Sequence, residues 1–223
     1  MQVRLLTLNL LQALEEWRPE CIVHAKGNKG NSVTVFRLGF DELDEKTFLT
    51  FLQNLLGTRG EEKAYIISLE NIDIISPSAA KALVSAAIST ATQYKVPILL
   101  TKVNKEALYG LQTVRNTQST EHVLWAIDGE GSKHLIGALP DRLQDILNVL
   151  RSKGASSASD LVEYNKEETS KKNINRYSVY LQELYNTGLV LREKIIGSIR
   201  TDSERGWTYV YRPAYDVLSL SSL

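Results

Sequence analysis

The 223-residue sequence predicts an α/β unit followed by a smaller α+β unit, and three observations predict it. Up to residue 128, short apolar runs suited to strands alternate with helical stretches, the pattern of a sheet layered with helices. The polar stretch Asp128-Gly129-Glu130-Gly131-Ser132-Lys133 then interrupts the pattern, as a linker does. Beyond it come three helical stretches and a pair of strand-like runs. The expected division is a first unit over residues 1–128, a linker over 129–138 and a second unit over 139–223.

In the first unit, Leu5, Leu8, Leu11, Leu14 and Trp17 have helical spacing, and Pro19 should stop that helix. Cys21 to Ala25 and Ser32 to Leu38 are strand-like, and Lys26-Gly27-Asn28-Lys29-Gly30-Asn31 between them has turn chemistry for a hairpin. Asp44 can cap a helix whose buried face is Phe48, Phe51, Leu52, Leu55 and Leu56, with Gly57 and Gly60 ending it. Ala64 to Leu69 reads as a strand covered on both faces. Ser76-Pro77 marks a helix start: serine caps and proline fits the first helical position. The alanines that follow to Tyr94 imply close packing on a sheet. Val96 to Val103, Glu106 to Leu111 and His122 to Ile127 read as strand, short helix and strand.

Two segments of this unit carry a resemblance. Phe36-Arg37-Leu38-Gly39-Phe40-Asp41-Glu42-Leu43-Asp44 resembles the second strand and following turn of the STAS family, the anti-sigma-factor-antagonist fold. Ile74-Ile75-Ser76-Pro77-Ser78-Ala79-Ala80-Lys81-Ala82-Leu83 falls where that family carries its phosphoacceptor segment. The resemblance covers residues 20–127 and implies an α/β domain that receives a signal or a regulatory protein. Ser76 and Ser78 are then the candidate phosphorylation or partner-docking positions, since a helix N-terminus tolerates an anion. The chain departs from the pattern: Ser76 stands at the family's aspartate, Pro77 at its usual modifiable serine and Ala79 at its glycine. Simple helix capping is the competing role for these serines.

In the second unit, Leu139, Leu143, Ile146, Leu147 and Leu150 form one helical stripe that Ser152-Lys153-Gly154 ends. Ser156 or Ser157 can cap a second helix, Asn165 to Glu168 reads as a turn, and Thr169 or Ser170 can cap a third. The third turns Ile174, Tyr177, Leu181 and Leu184 inward and stops at Gly188. Leu189 to Ile196 and the alternating run from Trp207 are strands around a polar turn at Thr201 to Gly206, and Pro213 breaks the second. This order resembles a winged helix-turn-helix domain. Asn175-Arg176-Tyr177-Ser178-Val179-Tyr180-Leu181-Gln182-Glu183-Leu184, running into Gly188-Leu189-Val190, looks like the recognition helix and first wing strand of bacterial and archaeal transcription regulators.

The chemistry of that task fits the residues. Lysine and arginine neutralise phosphates, while asparagine and arginine read base edges in the major groove. Lys171, Lys172, Asn173, Asn175 and Arg176 lie at the start of the third helix, and Arg192, Lys194, Arg200 and Arg205 on the strand pair; these nine are the candidate DNA contacts. From 171 to 212 there are eight cations against four acids, although the whole chain balances 26 against 26. A local patch, not the net charge, sets the field a duplex meets.

Other classes are poorly served. His24, His122 and His134 lack metal-ligand spacing, and no phosphate-loop or nucleophile-elbow run occurs. No enzyme activity, metal or cofactor is therefore expected. The single cysteine, Cys21, fits a reducing compartment, and no leader or membrane span is apparent. The expectation is a cytoplasmic, homodimeric regulator that binds double-stranded DNA. The alternative is a partner-switching or scaffold protein that binds a kinase or an anti-sigma-like protein without DNA. A small-ligand sensor is a third reading.

Overall fold

The structure, a computed structural model, describes residues 5–27, 30–39, 42–56, 64–114, 123–196 and 206–220. It is a mixed α/β protein. Strand β1 (Leu5–Asn9) runs directly into helix α1 (Leu10–Trp17). Asn9 separates them, because its side chain accepts from the Gln12 N–H at 3.2 Å and caps the helix. The helix expected from Leu5 thus begins only at Leu10. Leu5 to Asn9 instead pair residue by residue with β4 (Ala64–Ser68). A short apolar run does not by its period distinguish helix from strand, and the neighbouring strand decides.

Strand β4, β6 (Ile98–Val103) and β7 (Leu124–Asp128) continue the sheet in parallel, and β8 (Lys133–Ile136) ends it antiparallel to β7. The order is β1-β4-β6-β7-β8. The expected hairpin, β2 (Ile22–Lys26) with β3 (Ser32–Phe36), stands outside this sheet and joins the short strand β5 (Ile74–Ile75) in a second, three-stranded one. Cys21, expected in the strand, is buried in the short 3-10 turn just before it.

Helices α2 (Glu42–Leu56), α3 (Pro77–Tyr94) and α4 (Lys105–Thr113) complete this half. As expected, Ser76 caps α3: its Oγ accepts from the Ala79 N–H at 3.2 Å, with Pro77 in the first turn. The α3 alanines are buried, and their small side chains let the helix backbone lie close to its neighbours.

The stretch 129–138, expected as a linker, contains strand β8. The Asp128 carboxylate accepts the N–H groups of Glu130 at 3.0 Å and Ser132 at 2.8 Å. Gly131 supplies the positive φ of 85° that this tight return requires. The chain therefore folds back on β7 instead of leaving the sheet.

Helices α5 (Asp141–Lys153), α6 (Ala158–Tyr164) and α7 (Lys171–Asn186) follow, then the antiparallel pair β9 (Val190–Ile196) and β10 (Trp207–Pro213), and a short helix α8 (Val217–Leu220). The first two serine candidates divide their roles. Ser157 caps α6 in a reciprocal box with Asp160. Ser156 exchanges two backbone hydrogen bonds of 2.9 Å with Tyr211 and so ties the α5–α6 turn to β10.

The alternation of side chains along the main strands creates two cores. Tyr65, Ile67, Leu100 and Ala126 belong to the core under α2, α3 and α4. Ala64, Leu99 and Trp125 point to the other face and pack with Leu147, Leu181 and Val190 from the C-terminal elements. The α5–α8 unit is thus the second cover of the sheet. Trp125 is fully buried there, and its Nε1–H donates to the Leu189 carbonyl at 2.9 Å. Tyr215 meets the indole edge-on at 4.8 Å.

Gly188 completes the junction. Its φ is +76°, and a Cβ there would come 3.2 Å from Pro97 Cα. The turn between α7 and β9 therefore lies against the loop before β6.

Candidate functional site

The candidate site is the outward face of α7. Ser170 Oγ accepts from the Asn173 N–H at 3.3 Å and starts the helix. Tyr177, Leu181 and Leu184 are buried beneath it. Lys171, Lys172, Asn175, Arg176, Val179 and Asn186 are exposed. With 3.6 residues per turn, residues 172, 175, 176, 179, 183 and 186 fall within about 100° of the helix circumference. The apolar period thus sets the cation-bearing side to solvent.

The structure distributes the nine sequence-derived candidates unevenly. Lys171, Lys172 and Asn175 are exposed and have no side-chain partner among the described residues. Arg176 is exposed but paired with Glu167, whose other carboxylate oxygen accepts from the Tyr177 hydroxyl at 3.0 Å. Burial, and then the bond to Glu167, hold the Tyr177 hydroxyl above its ordinary pKa, so it stays a donor. The α6–α7 turn and the first turns of α7 are thereby clamped together.

Asn173, expected to read bases, is used internally: its side-chain amide donates to the Glu168 carbonyl at 2.9 Å. Arg192, expected to touch DNA, is half-buried between two rings, 4.2 Å from the Tyr185 centroid and 4.4 Å from that of Tyr209. It also donates to Gln182 at 2.8 Å. That sandwich joins α7 to the strand pair and makes Arg192 a packing residue. Lys194 is exposed on β9 over the Trp207 ring at 4.4 Å. Arg200 and Arg205 lie outside the described residues, as do His122, Gly57, Gly60, most of the turn at 201–206 and the side chain of Asp44.

Two participants were missed in the sequence. Glu167 reads there as a loop acid, and its pairing with Arg176 follows only from the turn geometry. Val179 is 62% exposed in the middle of the cationic face. Its position off the Ile174, Tyr177, Leu181 and Leu184 stripe was the available signal.

Ser76 and Ser78 come together at the start of α3, with 3.1 Å between their hydroxyl oxygens. Ser78 donates to the Leu38 carbonyl at 2.6 Å and so ties the helix start to the segment after β3, while Ser76 caps the helix. Arg18, Glu20 and Arg37 share the shallow groove beside them. Among the described residues, no three of His, Cys, Asp or Glu form a metal-binding group, and no helix is long and apolar enough to cross a membrane.

No protein-family model, curated protein or solved structure matches the chain.

Proposed function

We propose that this protein is a cytoplasmic DNA-binding transcription regulator. In this reading α5, α6 and α7 with the β9–β10 pair form a winged helix-turn-helix domain, α7 is its recognition helix and β9–β10 its wing. The STAS-like α/β half receives a signal or a regulatory protein. The observation that carries the reading is the exposed face of α7, where Lys171, Lys172, Asn175 and Arg176 cluster over two helical turns while Tyr177, Leu181 and Leu184 point inward. A helix about 10–12 Å across fits the B-DNA major groove. The lysines and Arg176 meet phosphates, which exchange Glu167 for a stronger anionic partner, and Asn175 meets base edges. A homodimer adds the second half-site that a single module needs for specificity.

The test is a fluorescence-anisotropy titration on mixed duplex fragments across a salt series. Each phosphate contact removed lowers the log–log salt slope by about 0.9. Lys172→Ala with Arg176→Ala should therefore weaken binding at low salt and flatten the slope by up to about two. An unchanged slope overturns the assignment.

A further inference from the structure

We propose that Val179 reads the C5-methyl group of a thymine, so that each half-site has an A·T pair under the middle of α7. The inference rests on the DNA-binding reading and adds the base chemistry that the site selects.

Val179 is the exposed apolar residue on the cation-bearing face of α7. Val179 is 62% exposed, although a β-branched side chain has no helix-forming advantage that would favour it there. It lies close to the centre of the exposed face: Lys172, Asn175 and Arg176 precede it, Glu183 and Asn186 follow it, and all six share one side. An apolar side chain ringed by polar ones on a helix bound for the major groove faces one apolar feature, because the thymine methyl is the only apolar group that the four bases display on that groove's floor. Asn175 sits one turn earlier on the same side and is exposed. Its side-chain NH2 can donate to adenine N7 while its carbonyl oxygen accepts from adenine N6. Lys171 and Lys172 on the same helix, joined by Arg176 when a phosphate replaces Glu167 as its partner, supply charge that complements a duplex. Valine, moreover, loses little side-chain entropy when it seats, since its single torsion is already restricted.

The experiment uses the full chain. A random-core duplex pool is selected for binding, and the tightest duplex is remade with each thymine replaced singly by uracil, which keeps the hydrogen-bonding groups and lacks the methyl. At one position per half-site, uracil should weaken binding about fourfold, the value of one buried methyl group. Val179→Ala should bind the thymine and uracil forms of that duplex equally, with its salt slope unchanged. The inference is overturned if no single thymine-to-uracil change alters affinity, if the selected duplexes have no fixed A·T pair, or if Val179→Ala keeps the preference. Failure of the unmodified protein to bind any duplex has a different meaning: it removes the DNA-binding reading, and this inference with it.

Discussion

Trp125 is the residue on which the two halves of the molecule meet. The sequence marks it as one aromatic in an apolar strand, and nothing nearby in the chain announces a partner. In the structure its indole N–H reaches the Leu189 carbonyl, 64 positions along the chain. That carbonyl also accepts the Ala214 N–H at 2.9 Å, so three segments converge on one oxygen. Trp125→Phe removes one of the two bonds and part of the ring volume. A lost buried hydrogen bond with a small cavity costs about 1–3 kcal/mol. Urea unfolding should show that loss as a lower midpoint, and an unshifted midpoint would place the indole elsewhere. Arg192 gives a related lesson. Its charge suggested a ligand contact, yet two tyrosine rings and Gln182 hold it. A cation's role depends on what surrounds it, and those rings come from α7 and β10.

At the scale of elements, the β7–β8 hairpin shows how a polar, glycine-bearing stretch becomes ordered. The Asp128 carboxylate takes two backbone N–H groups with one oxygen, and His134 Nε2 lies 2.9 Å from the other. The His134 bond, ahead of the backbone bonds from Ser132 and Glu130, holds the Asp128 carboxyl below its ordinary value of 3.8. A carboxylate with a lowered folded-state pKa stabilises the fold fully above its ordinary value. That contribution is lost as pH falls through the lowered one. Thermal melts in the acid range should therefore show Asp128→Asn with a shallower fall in midpoint than the unmodified chain. Parallel curves would mean that the hairpin does not depend on this charge. Helix α7 is the contrasting element. Its inward stripe and its cap are legible from spacing alone, whereas the Glu167 clamp on Arg176 and Tyr177 needs the preceding turn in place.

For the whole molecule, the second face of the sheet decides the behaviour. Leu99 and Trp125 are fully buried under the C-terminal elements. Gly188 brings the α7–β9 turn against Pro97. A core shared in this way couples the two halves on unfolding. Far-UV circular dichroism and tryptophan fluorescence should report coincident urea transitions for the full chain. Two separated transitions, with the sheet outlasting the helical unit, would show that the shared core contributes little.

By itself the sequence determined the features that local chemistry settles. These are the Ser76-Pro77 start of α3, the stripes of α5 and α7, the β2–β3 hairpin and the alternation of β10. Each depends on periodicity, caps or turn residues within one segment, and so each is written in consecutive positions. Only the tertiary structure decided that Leu5–Asn9 is a strand, that 133–136 returns to the sheet and that Asn173 and Arg192 are spent on internal bonds. It also decided that the C-terminal unit covers the sheet. The physical reason is the same in every case: strand pairing, burial of a second face and the partner of a charged side chain depend on groups distant in sequence, which no local pattern names.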